Sequence, residues 1–355
     1  MAYETDLPWR RRPKVVTPNG LPRESWLAQA NEAPLLPELE IVDAHHHLWD
    51  RQGFRYLLEE FAEDIGQSGH NVVSSVYVQC RTMYYADGPM HFRPLGEVEF
   101  IRGIAAQARS GFYGKTRVAQ GIVGCADLLQ GSEVAPVLEA MEEVGGGYFK
   151  GVRLPVASHP DPAVRSNPVP APAGLLIEPR FIAGARELAR RGLSLDVWVY
   201  QTQLADVESL ARQLPELQIV LNHAGGPLGV GPFEGRFPEG REIWQTNMER
   251  LAQHANVAVK LGGFGMPIMG FGFERGEQAP TSMQVADLIA PYVLHCIALF
   301  GTRRCMFESN FPVDKGGLGY DVLWNAFKRI AWPLSDAQRA DLFSDTARRI
   351  YRIPR

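Results

Sequence analysis

The sequence predicts an α/β chain folded as a single (β/α)8 TIM barrel, with an N-terminal arm and long βα loops over the C-terminal face. Three observations predict it. Short apolar runs bounded by Gly or Pro alternate about eight times with longer runs of helical periodicity, the pattern of a parallel sheet. No GxGxxG turn follows the first strand, so the usual mark of an open dinucleotide-binding sheet is missing. The longest irregular segments, 157–174, 225–240 and 262–280, each follow a predicted strand, on the side where a barrel builds its site.

Residues 1–38 are rich in Pro, Arg and Asn and read as an arm; the barrel is expected over residues 39–355. Strands are predicted around residues 41–48, 73–79, 118–126, 149–154, 193–199, 218–222, 257–261 and 305–307. Among the helices, Ser132 is placed to cap one that carries Val134, Val137, Leu138 and Met141 on one face and closes at Gly145. Helical patterns recur over 181–192, 202–214, 243–254 and 281–300. The long loops are expected to act as lids or binding loops over the barrel mouth.

Composition narrows the partners. With 45% hydrophobic and 21% charged residues, a chain of 355 residues can bury a sizeable core. Lys and Arg total 36 against 40 Asp and Glu, a net charge of −4, so no basic excess exists to neutralise phosphates and no nucleic-acid partner is expected. Arg10, Arg11 and Arg12 lack a following apolar run of export-signal length, and no stretch reads as a membrane span. No membrane partner is expected, and a cytoplasmic location is. Cys80, Cys125, Cys296 and Cys305 form no CxxC pair, so neither a disulfide framework nor a thiolate zinc site is indicated. The expected partner is a small-molecule substrate, with self-association into a homo-oligomer left open.

The chemistry starts at Asp43-Ala44-His45-His46-His47. A strand alternates its side chains, so His45 and His47 share one face and His46 points away. Two imidazoles at a strand's C-terminal end can bind one metal or polarise one substrate. Gln79 ends the second strand, and Tyr84 and Tyr85 follow it; Trp198 and Tyr200 end the fifth and can wall a pocket, though aromatics there also serve packing. His70, His254 and His295 are expected to face solvent, while His91 and His159 lie in loops near the mouth.

The run from Val42 to Trp49 resembles the first-strand HxH motif of the amidohydrolase superfamily. More narrowly, it resembles the branch that includes 2-pyrone-4,6-dicarboxylate lactonase, sulfomuconolactone hydrolase and the sugar-acid lactonases. Lys150-Gly151-Val152-Arg153, Leu195-Asp196-Val197, Asn222-His223-Ala224-Gly225-Gly226-Pro227 and Phe307-Glu308-Ser309-Asn310-Phe311-Pro312 agree with it in order. The resemblance implies that His223 is a barrel-mouth histidine contacting a metal or the scissile carbonyl. It also implies that Arg153 meets a carboxylated or polyhydroxylated ring, for which a guanidinium's two-pronged hydrogen bond is suited.

The resulting expectation is a hydrolase that opens a small lactone or similar cyclic ester. A metal-dependent decarboxylase or hydratase of the same superfamily is the alternative, and a non-catalytic binding barrel a further one. Two departures from the family bear on the metal. The fifth strand offers no histidine, and Asn310 stands where much of the superfamily has Asp. Asn cannot take up a proton at neutral pH. Hence no cofactor is expected to be required, or one weakly bound divalent metal such as zinc on His45, His47 and His223. For the proton acceptor, Asp314 ranks first, a neutral histidine second and Glu308 third. Glu308 shares the inward face with Asn310 and is set to pair with Lys260; Asp43 is placed below His45 on the same face.

Overall fold

The structure is a computed structural model that describes residues 20–51, 53–167 and 171–355. The arginines at 10–12 and the prolines at 168 and 170 lie outside the described residues. Eight parallel strands run in sequential order around the barrel: β1 (Ile41–His46), β2 (Val72–Val78), β3 (Arg117–Gly124), β4 (Phe149–Pro155), β5 (Ser194–Trp198), β6 (Ile219–Leu221), β7 (Val257–Leu261) and β8 (Cys305–Phe307). Each is followed by a helix of the outer ring: α1 (Leu58–Ser68), α2 (Leu95–Ala108), α3 (Ala135–Gly145), α4 (Pro179–Arg190), α5 (Leu204–Gln213), α6 (Phe237–Ala252), α7 (Ser282–Phe300) and α8 (Tyr320–Ile330). The (β/α)8 barrel is therefore the fold.

Neighbouring strands from β1 to β8 share parallel pairing. The seam between β8 and β1 is made differently. It is held just past the end of β8, where Asn310 N–H donates to His45 O at 2.8 Å and His47 N–H donates to Phe311 O at 2.7 Å. The seam thus lies at the level of the histidine motif.

Two apolar layers follow from strand alternation. Val42, Ala44, Val78, Val220, Ala258 and Met306 fill the barrel interior. Its bottom is closed by Ala347, Ile350 and Tyr351 from the C-terminal helix Thr346–Tyr351. The opposite strand faces meet helical stripes such as Ile101, Leu138, Leu188 and Leu210 in the outer layer. Helix α3 starts later than expected: Leu128–Val134 forms tighter 3-10 turns capped by Asp127, so Ser132 caps nothing, and Gly146 ends the helix in the left-handed conformation.

The described part of the arm is fastened to the barrel. Trp26 Nε1 donates to Gly276 O at 3.0 Å, and Glu32 Oε1 accepts from Ser282 N–H at the start of α7 at 2.7 Å. Helix α7 also corrects an expectation, since by length and composition alone it is apolar enough to cross a membrane. Here it is a barrel helix that buries Val285, Ile289 and Val293.

The three long loops converge over the mouth. Ala157 and Val164 from the first, Leu228 from the second, and Met266, Ile268 and Met269 from the third pack with Trp198 and Tyr200 in a third apolar cluster. The first loop is pinned further: Ser166 bonds the Tyr200 hydroxyl, and Trp198 Nε1 donates to Ser166 Oγ at 3.1 Å.

Candidate active site

His45 and His47 share a face by strand alternation, and they face inward because β1 carries an extra residue. Its register with β2 slips between Asp43 and His46. A bulge of this kind resets the side-chain alternation. Val42 and Ala44 face the interior, yet His45 also turns inward. Asp43 therefore lies on the opposite side from His45, against the expectation. Its carboxylate accepts from Ser309 N–H at 2.9 Å and from the Tyr320 hydroxyl at 3.0 Å, and burial pushes its pKa up to about 6. His46 points outward as expected, stacked on Phe61 with ring centroids 4.2 Å apart.

His223 reaches the same centre by backbone geometry. Its φ of 54°, with Ala224 at 51°, turns the chain sharply out of β6. Gly263 makes room for it, since a Cβ there would lie 2.6 Å from His223 Cγ. The rings of His45 and His223 are 4.7 Å apart, and Trp198 packs edge-on against His223 at 4.7 Å.

Glu308 joins the two histidines. Its Oε1 accepts from His223 Nδ1 at 2.7 Å and from His223 N–H at 3.1 Å, and its Oε2 lies 2.9 Å from His45 Nδ1. The expected pairing with Lys260 is not formed. Lys260 Nζ instead pairs with Asp196 Oδ2 at 2.7 Å and lies 3.4 Å from His45 Nδ1. Both charges of the Lys260–Asp196 pair are fully buried. Asp196 is further held by Asn222 Nδ2 at 3.0 Å and by the Tyr351 hydroxyl at 2.9 Å. Strand parity puts Asp196, Lys260 and Glu308 inside the barrel, but it cannot sort which acid takes which partner. Tyr351 comes from a helix 155 residues beyond Asp196, and no local signal announces it.

The remaining tautomers follow. His47 Nδ1 donates to Val78 O at 2.7 Å, leaving Nε2 as a lone pair 3.2 Å from His45 Nε2. His223 Nδ1 donates to Glu308, leaving its Nε2 free. Burial lowers the pKa of His45, His47 and His223, so all three are neutral imidazoles near pH 7; Lys260 adds to the effect at His45 and Arg153 at His47.

Arg153 ends β4 beside them, its Nη1 3.3 Å from His45 Nε2 and its Nη2 donating to Gln79 O. It is only 9% exposed, yet among the described residues no carboxylate lies within ion-pair distance of it. Gln79 meets the site through this backbone carbonyl; its own Oε1 is buried without a partner among the described residues.

Other expected residues fall elsewhere. Tyr85 is exposed, and its hydroxyl donates to Glu99 on α2 at 2.7 Å rather than to the cluster. Tyr200 holds the first long loop through Ser166. Asp314 is fully buried, with Oδ2 accepting from Gly265 N–H at 2.9 Å and Oδ1 from Asn310 Nδ2 at 2.8 Å. Burial pushes its pKa up to about 8, so it is largely neutral near pH 7. His70 is buried against Lys328 rather than solvent-facing, with Nδ1 2.9 Å from Nζ. His295 is half-buried on Trp244.

A divalent ion fits this donor set. One ligand atom each from His45, His223 and Glu308 can be chosen so that all lie within 4.8 Å of one another. Two neutral imidazoles and a carboxylate suit zinc. Against this, the fixed charges of Arg153 and Lys260 stand beside His45 and weaken the attraction for a cation.

Comparison with known proteins gives the family and the fold. A family described as amidohydrolase matches residues 42–353. An uncharacterized protein of Sinorhizobium fredii is 34% identical over 341 residues, covering 90% of this chain and all of its own length. The L-fucono-1,5-lactonase of Burkholderia multivorans is 27% identical over 326 residues, 88% of this chain and 96% of its own. Among solved structures, an amidohydrolase from Burkholderia multivorans with bound zinc shares the fold, with a TM-score of 0.64 at 23% identity. It covers 88% of this chain and 99% of its own.

Proposed function

Because this chain belongs to the amidohydrolase family, we propose that it is a hydrolase that opens a small carboxylated lactone or similar cyclic ester at the barrel mouth. The observation that carries this reading is Arg153, a buried guanidinium with no carboxylate within ion-pair distance among the described residues, beside three neutral imidazoles. Buried charges are paired in folded proteins, so an unpaired one marks where a ligand's opposite charge belongs.

His223 Nε2 takes the proton from water while Glu308 steadies the imidazolium that forms, the role a carboxylate plays behind a catalytic histidine. The hydroxide adds to the ring carbonyl, and charge developing on its oxygen falls beside the Arg153 guanidinium. Collapse breaks the ring C–O bond, and the proton on His223 passes to the departing alkoxide. The water's remaining proton leaves with the new carboxylic acid. Trp198 and the three packed loops exclude other water.

When bound to His45, His223 and Glu308, a divalent ion would polarise the carbonyl and acidify water. That use of His223 competes with its use as proton acceptor, so one measurement decides both. Turnover is expected to survive dialysis against a chelator, with metal below one equivalent by elemental analysis. Retention of stoichiometric metal, with activity lost on its removal, would reverse the assignment.

The function is tested by following acid release from a lactone panel that includes L-fucono-1,5-lactone and carboxylated lactones. Carboxylated rings are expected to react best. Arg153→Met is expected to lower kcat/KM on them by about 10- to 100-fold, the worth of a charge-assisted hydrogen bond, and to leave neutral lactones nearly unchanged. Equal losses on both classes would remove Arg153 as the carboxylate anchor. Release of carbon dioxide with no lactone opened would sink the hydrolase reading.

A further inference from the structure

We propose that the Asn310 amide donates a hydrogen bond to the reacting carbonyl oxygen. Asp314 acts through it, as a positioning residue that decides which end of that amide faces the site. The proposal rests on the lactonase reading and reassigns Asp314, which the sequence ranked first as proton acceptor.

Asn310 is fixed at the barrel seam. Its backbone N–H donates to His45 O at 2.8 Å, its φ is 55°, and it is 1% exposed. It lies two residues beyond Glu308, which binds His45 and His223. In this structure its Nδ2 donates to Asp314 Oδ1 at 2.8 Å, the arrangement of an ionised Asp314, and its Oδ1 is buried without a partner among the described residues. Buried polar atoms are almost always paired, so an unpartnered amide end two residues from Glu308 is a place for a ligand, one that meets a carbonyl oxygen only when the amide is turned to present Nδ2.

Asp314 is held equally firmly. Gly265 N–H fixes one carboxyl oxygen, and a Cβ at Gly265 would lie 2.9 Å from Asp314 Cβ and Cγ, so the loop is pressed onto it. Among the described residues, a carboxylate there meets no cation. From β8 the charge acting on it is that of Glu308, of like sign, and the loop 262–265 contributes the Gly265 amide. Lys315, next in sequence, turns away to Asp64 at 2.8 Å and Glu24 at 3.0 Å. Burial with no opposing charge favours the neutral acid, in line with its raised pKa.

The proton on Asp314 then sets the amide. A neutral Asp314 donates its O–H to Asn310 Oδ1, and a half-turn of the amide points Nδ2 to the unpartnered side. An ionised Asp314 accepts from Nδ2, and the carbonyl end faces that side instead. The first arrangement offers a donor to developing negative charge; the second repels it. An aspartate at position 310 could not make the first arrangement in its ionised form, which gives the departure from the family's usual residue a function.

Asp314→Asn separates the roles. An amide at 314 can accept from Gly265 N–H and donate to Asn310 Oδ1 at every pH. On the lactone turned over best, this variant is expected to keep near-wild-type kcat at pH 7 and to abolish the fall in wild-type kcat above about pH 8. Asn310→Ala is expected to lower kcat by about 10²-fold with little change in KM. Loss of about 10²-fold or more at all pH values in Asp314→Asn would instead make Asp314 the base. An unchanged alkaline limb would also overturn the proposal. Infrared difference spectra of the wild-type protein give a readout that needs no substrate. A neutral-carboxyl band that titrates near pH 8 and is missing in Asp314→Asn is expected, and its absence overturns the proposal even if lactones are hydrolysed. If the band is present and no lactone reacts, the pairing stands and the lactonase reading is what fails.

Discussion

His223→Ala is expected to lower kcat on the best lactone by about 10³-fold, within the range for loss of a positioned proton acceptor. The effect is large because Nε2 is the free end of a ring whose other nitrogen is committed to Glu308 at 2.7 Å. Without the ring, Glu308 keeps only His45 as an imidazole partner and cannot take over from its deeper position. Glu308→Gln retains the shape and removes the charge that steadies the imidazolium; a smaller fall, about 10²-fold, is expected. Thermal melting should change little in Glu308→Gln, because Lys260 has its own acid. Steady-state rates beside melting curves check both variants. Full turnover in His223→Ala would end its assignment as proton acceptor.

The largest loss of stability is expected from Asp196→Ala. Lys260 is fully buried, and its ion-pair partner is Asp196 at 2.7 Å. Removing one member of a buried pair leaves an uncompensated charge and costs about 3–5 kcal/mol. Tyr351→Phe, which removes only a hydroxyl donor to Asp196, should cost about 1 kcal/mol. The double variant Asp196→Ala with Lys260→Met should recover much of the loss, since an apolar pair leaves no charge stranded. Urea unfolding measures all three. If Asp196→Ala unfolds like wild type while Glu308→Gln is strongly destabilised, Lys260 belongs with Glu308 after all.

All eight barrel strands and the alternation behind them were legible in the sequence, because apolar runs and Gly or Pro boundaries are local properties. The convergence of His45 and His47 was legible for the same reason. The side on which Asp43 falls was not, since a bulge adds a residue without altering composition or pattern. Partner choice was also hidden. Glu308 and Asp196 are both inward-facing acids within reach of the same interior, and only the relative heights of β5, β7 and β8 give Lys260 to one and the histidines to the other. Asp314 looked free because it follows β8 on a loop, yet that loop is clamped by Gly265 and Asn310 and fully buried. Tyr85 fails for the opposite reason: proximity in sequence to the second strand's end suggested the mouth, and the chain carries it out to α2.

The β8–β1 seam makes one component of this architecture serve two ends. Elsewhere around the ring, neighbouring staves are joined along a ladder; here two amides act as a clasp, and one of them belongs to Asn310, hooked onto the carbonyl of His45. A breathing motion that unhooks the clasp therefore also dismantles the constellation beside it. The barrel cannot gape at this seam and stay competent, and whatever tightens the clasp, a bound ring included, stiffens the join it sits on.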